Sequence, residues 1–80
     1  LRRRTKAFVV LARLVRDLER YPIVRLRSPS ASPPVGRIGW AEVGGRIVFV
    51  DVSPTGLRFV VAVKRGRVVQ TNVRRSAAVF

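Results

Sequence analysis

The stretch RIVFVDVSPTGLRFVVAVKRGRVVQTNV, residues 46–73, decides the fold. It holds three apolar runs rich in Val, cut by Ser53-Pro54-Thr55-Gly56 and by Lys64-Arg65-Gly66. Side chains branched at Cβ fit a pleated, half-buried surface, so each run is expected to be a strand. Pro and Gly stand where a β-turn wants them in the first break, and the second closes a hairpin. Residues 46–52 are apolar at Ile47 and Phe49 and again at Val48 and Val50, which predicts a central strand. Leu57, Phe59, Val61 and Val63 share one face of the next, and residues 67–73 follow as a third. Arg74-Arg75-Ser76 is expected to end that strand and leave 77–80 for a short last one.

Toward the N-terminus the same texture continues. Gly44-Gly45 signals a tight hairpin, preceded by a strand over 35–43 that carries Trp40. Residues 23–27 alternate cleanly, with Val24 and Leu26 inward and Arg25 and Arg27 outward. Between these strands lies SPSASPP (residues 28–34), whose prolines cannot join a ladder and which reads as a flexible surface loop. Residues 5–20 read as a helix, with Thr5 as N-cap and Pro22 stopping the pattern. Lys6, Arg13, Asp17 and Arg20 form one stripe, while Phe8, Leu11, Val15 and Leu18 lie opposite, flanked by Val9, Val10, Ala12 and Leu14. That apolar arc is wider than packing on one small sheet requires. Its outer part (Phe8, Val9, Leu11) is therefore expected to meet a protein partner or a second copy. The expected fold is α+β: an N-terminal helix followed by a small, strongly bent antiparallel sheet or barrel of five to six strands. Residues 1–6 form a basic arm and 7–80 a single domain.

Composition limits the chemistry. The 80 residues carry 17 Lys and Arg against 4 Asp and Glu, a formal charge of +13, with no Cys, His or Met. Disulfides, thiolate or imidazole metal sites, a Cys nucleophile and a His base are all excluded. The only carboxylates are Asp17, Glu19, Glu42 and Asp51. Asp17 and Glu19, two apart on a helix, do not share a face. Glu42 and Asp51 are expected to pair with nearby arginines, so the chain reads as non-catalytic and without a cofactor. At 48% hydrophobic it should fold, which leaves the excess charge on a compact surface. No stretch approaches the ~18 apolar residues of a membrane span, and a cytoplasmic setting is expected.

Fifteen of the 17 cations are Arg, whose planar guanidinium binds phosphate bidentately. They gather on the arm (Arg2, Arg3, Arg4, with Lys6), on the first strand (Arg25, Arg27), at a hairpin tip (Lys64, Arg65, Arg67) and at Arg74-Arg75. Arg37, Arg46 and Arg58 lie between these groups. Nucleic acid is the partner such spacing fits, contacted mainly at its phosphates.

Residues 36–49, running Gly36-Arg37-Ile38 through Ala41-Glu42 to Arg46-Ile47-Val48-Phe49, resemble the first motif of the Sm/LSm family. Residues 73–80 are similar to its second. The resemblance implies a helix-plus-barrel fold and RNA held by loops within a ring of subunits. Glu42 stands where that family has Asp, Arg46 where it has Asn, and Arg75 where it has Gly. Small SH3-like barrels of ribosomal and chromatin proteins fit the same pattern. The expected role is an RNA-binding part of a ribonucleoprotein or ribosome, RNA being favoured over DNA. A chromatin protein on duplex DNA, or a basic assembly subunit, is the alternative.

Overall fold

The computed structural model of the chain describes residues 2–75, with side chains from Lys6 onward. The elements run α1 (Arg2–Arg20), β1 (Ile23–Arg25), β2 (Ile38–Val43), β3 (Arg46–Val52), β4 (Leu57–Lys64) and β5 (Arg67–Arg75). One helix is followed by one five-stranded sheet in the order β1-β2-β3-β4-β5, which is the expected α+β architecture with β3 at its centre.

Two features of the sheet differ from expectation. It is mixed and open among the described residues, because β1 pairs with β2 in parallel while the other three pairs are antiparallel. The physical reason is the connection. Residues 26–37 separate β1 from β2, a dozen residues that carry the chain back to the end where β1 began, as a parallel pair demands. The bonds Ile38 N–H to Pro22 C=O (3.1 Å) and Leu26 N–H to Trp40 C=O (2.7 Å) extend that pairing at both ends. Strand β5 also runs on through Arg74 and Arg75 instead of breaking there. The short strand expected at 77–80 lies outside the described residues.

The turns follow the sequence closely. Gly44 and Gly45 both have positive φ (55° and 78°), as do Arg65 and Gly66 (52° and 75°). That backbone matches the right-handed twist of the strands it joins. The proline-rich loop is not loose: the Arg58 guanidinium donates to the Pro29 carbonyl and, at 3.2 Å, to that of Ala31, while Pro33 is buried.

Each side of the sheet has its own core. On the helix side Val10 and Leu14 pack with Ile38, Phe59 and Val61. On the other side Leu26, Ala41, Val48, Val50 and Ala62 cluster, with Ala31 of the loop against them. Gly39 is part of this second core by virtue of having no side chain, since a Cβ there would come within 2.4 Å of Leu26 Cδ1.

Helix α1 rests on β4 and β5, but by a different face from the one its apolar stripe suggests. Val10, Leu14 and Asp17 are buried, whereas Phe8 is 72% exposed and Val15 55%. The helix is rolled by about 100°, one residue's worth of turn, toward its charged side. On that side Arg13 lies between Asp17, at 3.4 Å, and Asp51 of β3, at 3.7 Å. Thr5 lies within α1 and not at its cap, and the basic arm is helical from Arg2. The side chains of Arg2, Arg3 and Arg4 lie outside the described residues. Among those residues no helix is long and apolar enough to cross a membrane.

Candidate nucleic-acid interface

Strand alternation sends each side chain to one of two sides, and this sorts the arginines. Trp40, Phe49, Asp51, Phe59 and Val61 take the helix side. Arg46, Val48, Arg58, Val60, Ala62, Gln70, Asn72 and Arg74 take the other. There they line an open groove of about 590 Å³ whose floor is Val48, Val60 and Ala62. Arg46 stands at one end and the directly paired Arg58 and Arg74 at the other.

No carboxylate lines this groove. Asp17 and Glu19 are on α1, and the register puts Glu42 and Asp51 on the helix side of β2 and β3. Charge is thus segregated across the sheet: acid with the helix, unopposed arginine on the far side. Arg46 and Arg74 make no ion pair among the described residues. Arg58 has part of its donor set committed to the loop carbonyls.

The other arginines singled out in the sequence are exposed but dispersed. Arg25 sits over the Trp40 ring at 5.4 Å on the flank of the sheet, and Arg27 follows at the same edge. Arg65 and Arg67 cap the β4–β5 turn. Arg74 lines the groove, while Arg75, its neighbour in β5, alternates to the helix side. Glu42 and Arg46 flank the Gly44-Gly45 turn, at the opposite end of the sheet from Arg74 and Arg75. Of the predicted contact residues, Arg74 alone joins the groove. Arg46 and Arg58 complete it, and their signal was the alternation itself: each is in phase with residues opposite the Phe49–Phe59 face.

A second cleft, of about 640 Å³, opens beside the helix and holds Asp17 and Asp51 together with Arg13, Arg16, Arg20 and Arg37. Arg13 Nε lies 3.4 Å from Asp17 and 3.7 Å from Asp51, and Arg16 Nε 3.4 Å from Asp17. The Arg13 guanidinium also covers the Phe59 ring at 4.7 Å. Burial pushes the Asp51 carboxyl up to about 7, helped by its hydrogen bond with Asp17 and by that group's negative charge. Burial acts in the same direction on Asp17, but the Asp51 hydrogen bond, Arg13 and Arg16 outweigh it and hold Asp17 below the usual range. Asp51 is thus the member of the pair that holds a proton more readily, and Asp17 the one that stays charged. The arginine pairing expected of Glu42 and Asp51 is seen for Asp51, whose carboxyl lies 3.7 Å from Arg13, and not for Glu42 among the described residues. Sequence reading missed the Asp17–Asp51 pair, because its members are far apart in the chain and each looks like an ordinary surface acid. Two of this cleft's arginines, Arg13 and Arg16, are engaged by its buried acids, whereas the cations of the arginine groove face no carboxylate, which leaves that groove as the candidate interface.

Comparison with protein-family models, with curated proteins and with solved structures finds no match to this chain.

Proposed function

We propose that this chain is a non-catalytic RNA-binding protein that works inside a ribonucleoprotein assembly in the cytoplasm, and that the groove between Arg46 and Arg58–Arg74 is its principal contact surface. The observation that carries the reading is the segregation of charge. A groove with three arginines, two amides and no acid attracts a polyanion without internal competition. The remaining exposed cations, Arg25, Arg27, Lys64, Arg65, Arg67 and Arg75, are dispersed around the sheet outside the groove and offer further phosphate contacts. Arg2, Arg3 and Arg4 add to the same charge from the first turn of α1.

Filter binding at rising salt tests the proposal. Contact with six or more phosphates predicts a loss in affinity of roughly 10³-fold or more between about 50 and 200 mM salt. Replacing Arg46 and Arg74 by Gln is expected to weaken binding for every RNA and to reduce the salt slope by about one per arginine. A Kd that barely moves with salt refutes it.

A second reading, a basic assembly subunit, draws on the helix. Phe8 is 72% and Val9 54% exposed on the surface of α1, with Leu11 half-buried beside them. The two readings are compatible in a ribonucleoprotein, where RNA takes the groove and a protein neighbour takes the helix.

A further inference from the structure

We infer that the groove takes unpaired RNA and that Gln70 and Asn72 read the edges of its bases. The inference rests on the RNA-binding reading above and specifies the substrate of the same site.

The layout of the groove supports it. Gln70 pairs in register with Ala62 and Asn72 with Val60, so the two amides stand in a row along the β5 wall, beside the apolar floor. No hydrogen bond among the described residues engages either one. Each amide offers an acceptor oxygen and an NH₂ donor in one plane, the arrangement that pairs with the donor and acceptor on a base edge. The arginines stand apart from them. Arg46 is level with Lys64, six residues of β4 away from Arg58, or roughly 20 Å at ~3.3 Å per residue. Charge at the two ends, amides along one wall and an apolar floor between describe a strand whose phosphates rest on the arginines while its bases lie against half-buried Val60 and the amide wall.

A duplex does not suit this shape. Its base edges are already paired, and the A-form major groove is too deep and narrow for side chains to read. A groove of about 590 Å³ accepts a few flat bases but not a helix. The aromatic residues that usually stack on single strands are absent from it, because Trp40, Phe49 and Phe59 take the helix side by register. Discrimination between bases should therefore come from the amides.

Fluorescence anisotropy with short oligoadenylate, oligocytidylate and oligouridylate, and with an RNA duplex of equal length, tests this at fixed salt. The unpaired strands are expected to bind about tenfold or more tighter than the duplex, and the best and worst strand to differ by roughly tenfold. Gln70→Leu with Asn72→Leu should compress that difference to about twofold or less and leave the salt slope unchanged. Thermal unfolding checks that the variant is folded. If half-buried Asn72 resists replacement, Gln70→Leu alone, at an exposed position, carries the test with a partial compression. A duplex that binds as tightly as the strands, or a difference unaltered by the substitutions, overturns the inference while RNA binding stands. Salt-insensitive or absent binding to every RNA instead removes the RNA-binding reading itself.

Discussion

Asp51 is a buried carboxyl next to the end of the apolar strand β3, and its position makes the stability of the fold depend on pH. It keeps its proton up to about 7 in the folded chain, against 3.8 for an unperturbed Asp. Between those values the folded state binds a proton that the unfolded state has released, so Asp51 makes stability fall as pH rises through that window, levelling off above it. Asp17, held low, acts in the opposite sense: its contribution is present above 3.8 and lost as pH falls through its lowered folded value. Urea unfolding at about pH 5 and about pH 8 should therefore show the lower midpoint at the higher pH. Asp51→Asn, which keeps a neutral side chain of the same shape beside Asp17 without an ionisable group, is expected to retain the acid-side stability and to flatten the slope. An unchanged slope in that variant would show that another group sets it. The sequence contains Asp17 and Asp51 in plain view, yet pairing across the helix–sheet seam is a tertiary fact that no local pattern encodes.

Among the elements, α1 shows how far periodicity reaches. The pattern identifies a helix and an apolar arc on it, but the arc is too wide to say which part is seated. In the structure Val10 and Leu14 are seated on the sheet, with Arg13 beside Asp51, and Phe8 and Val15 face outward. Leu14→Ala is expected to cost about 2–5 kcal/mol, since it opens a cavity against the core of Ile38, Phe59 and Val61. Phe8→Ser in the isolated chain should stay within about 0.5 kcal/mol of the parent. Denaturant titration of both variants checks the seating, and a reversal of the two effects would restore the face that the stripe suggests. In the strands legibility was higher. Alternation placed Leu26 inward and Arg25 outward correctly, and Gly44-Gly45 and Arg65-Gly66 fixed two hairpins. The direction of β1 was not readable, because alternation is the same in parallel and antiparallel pairs. Only the length of the 26–37 connection bore on it. Alternation also carried the groove: Arg46, Arg58 and Arg74 share a phase that grouping arginines by proximity in sequence obscures.

At the scale of the whole molecule the sheet divides the charge, and the chain order divides the contacts. Strands β2 to β5 form a meander closed by turns of two to four residues, whereas β1 must wait for β2, and α1 for β4 and β5. Closing a loop costs entropy that grows with its length, and local pairings form faster than distant ones. The meander is therefore expected to assemble first and the helix to dock last. Stopped-flow kinetics test the order: Val61→Ala should slow folding, with a φ-value of about 0.5–0.8, and Val10→Ala should mainly speed unfolding, with a φ-value near zero. Equal values at the two sites would mean that helix and sheet condense together. The seam between α1 and β4–β5 thus has a cost during synthesis. The helix is made before any of the strands it rests on, and its apolar side stays open to water until β5 is complete. For this chain the order of manufacture runs opposite to the order of folding.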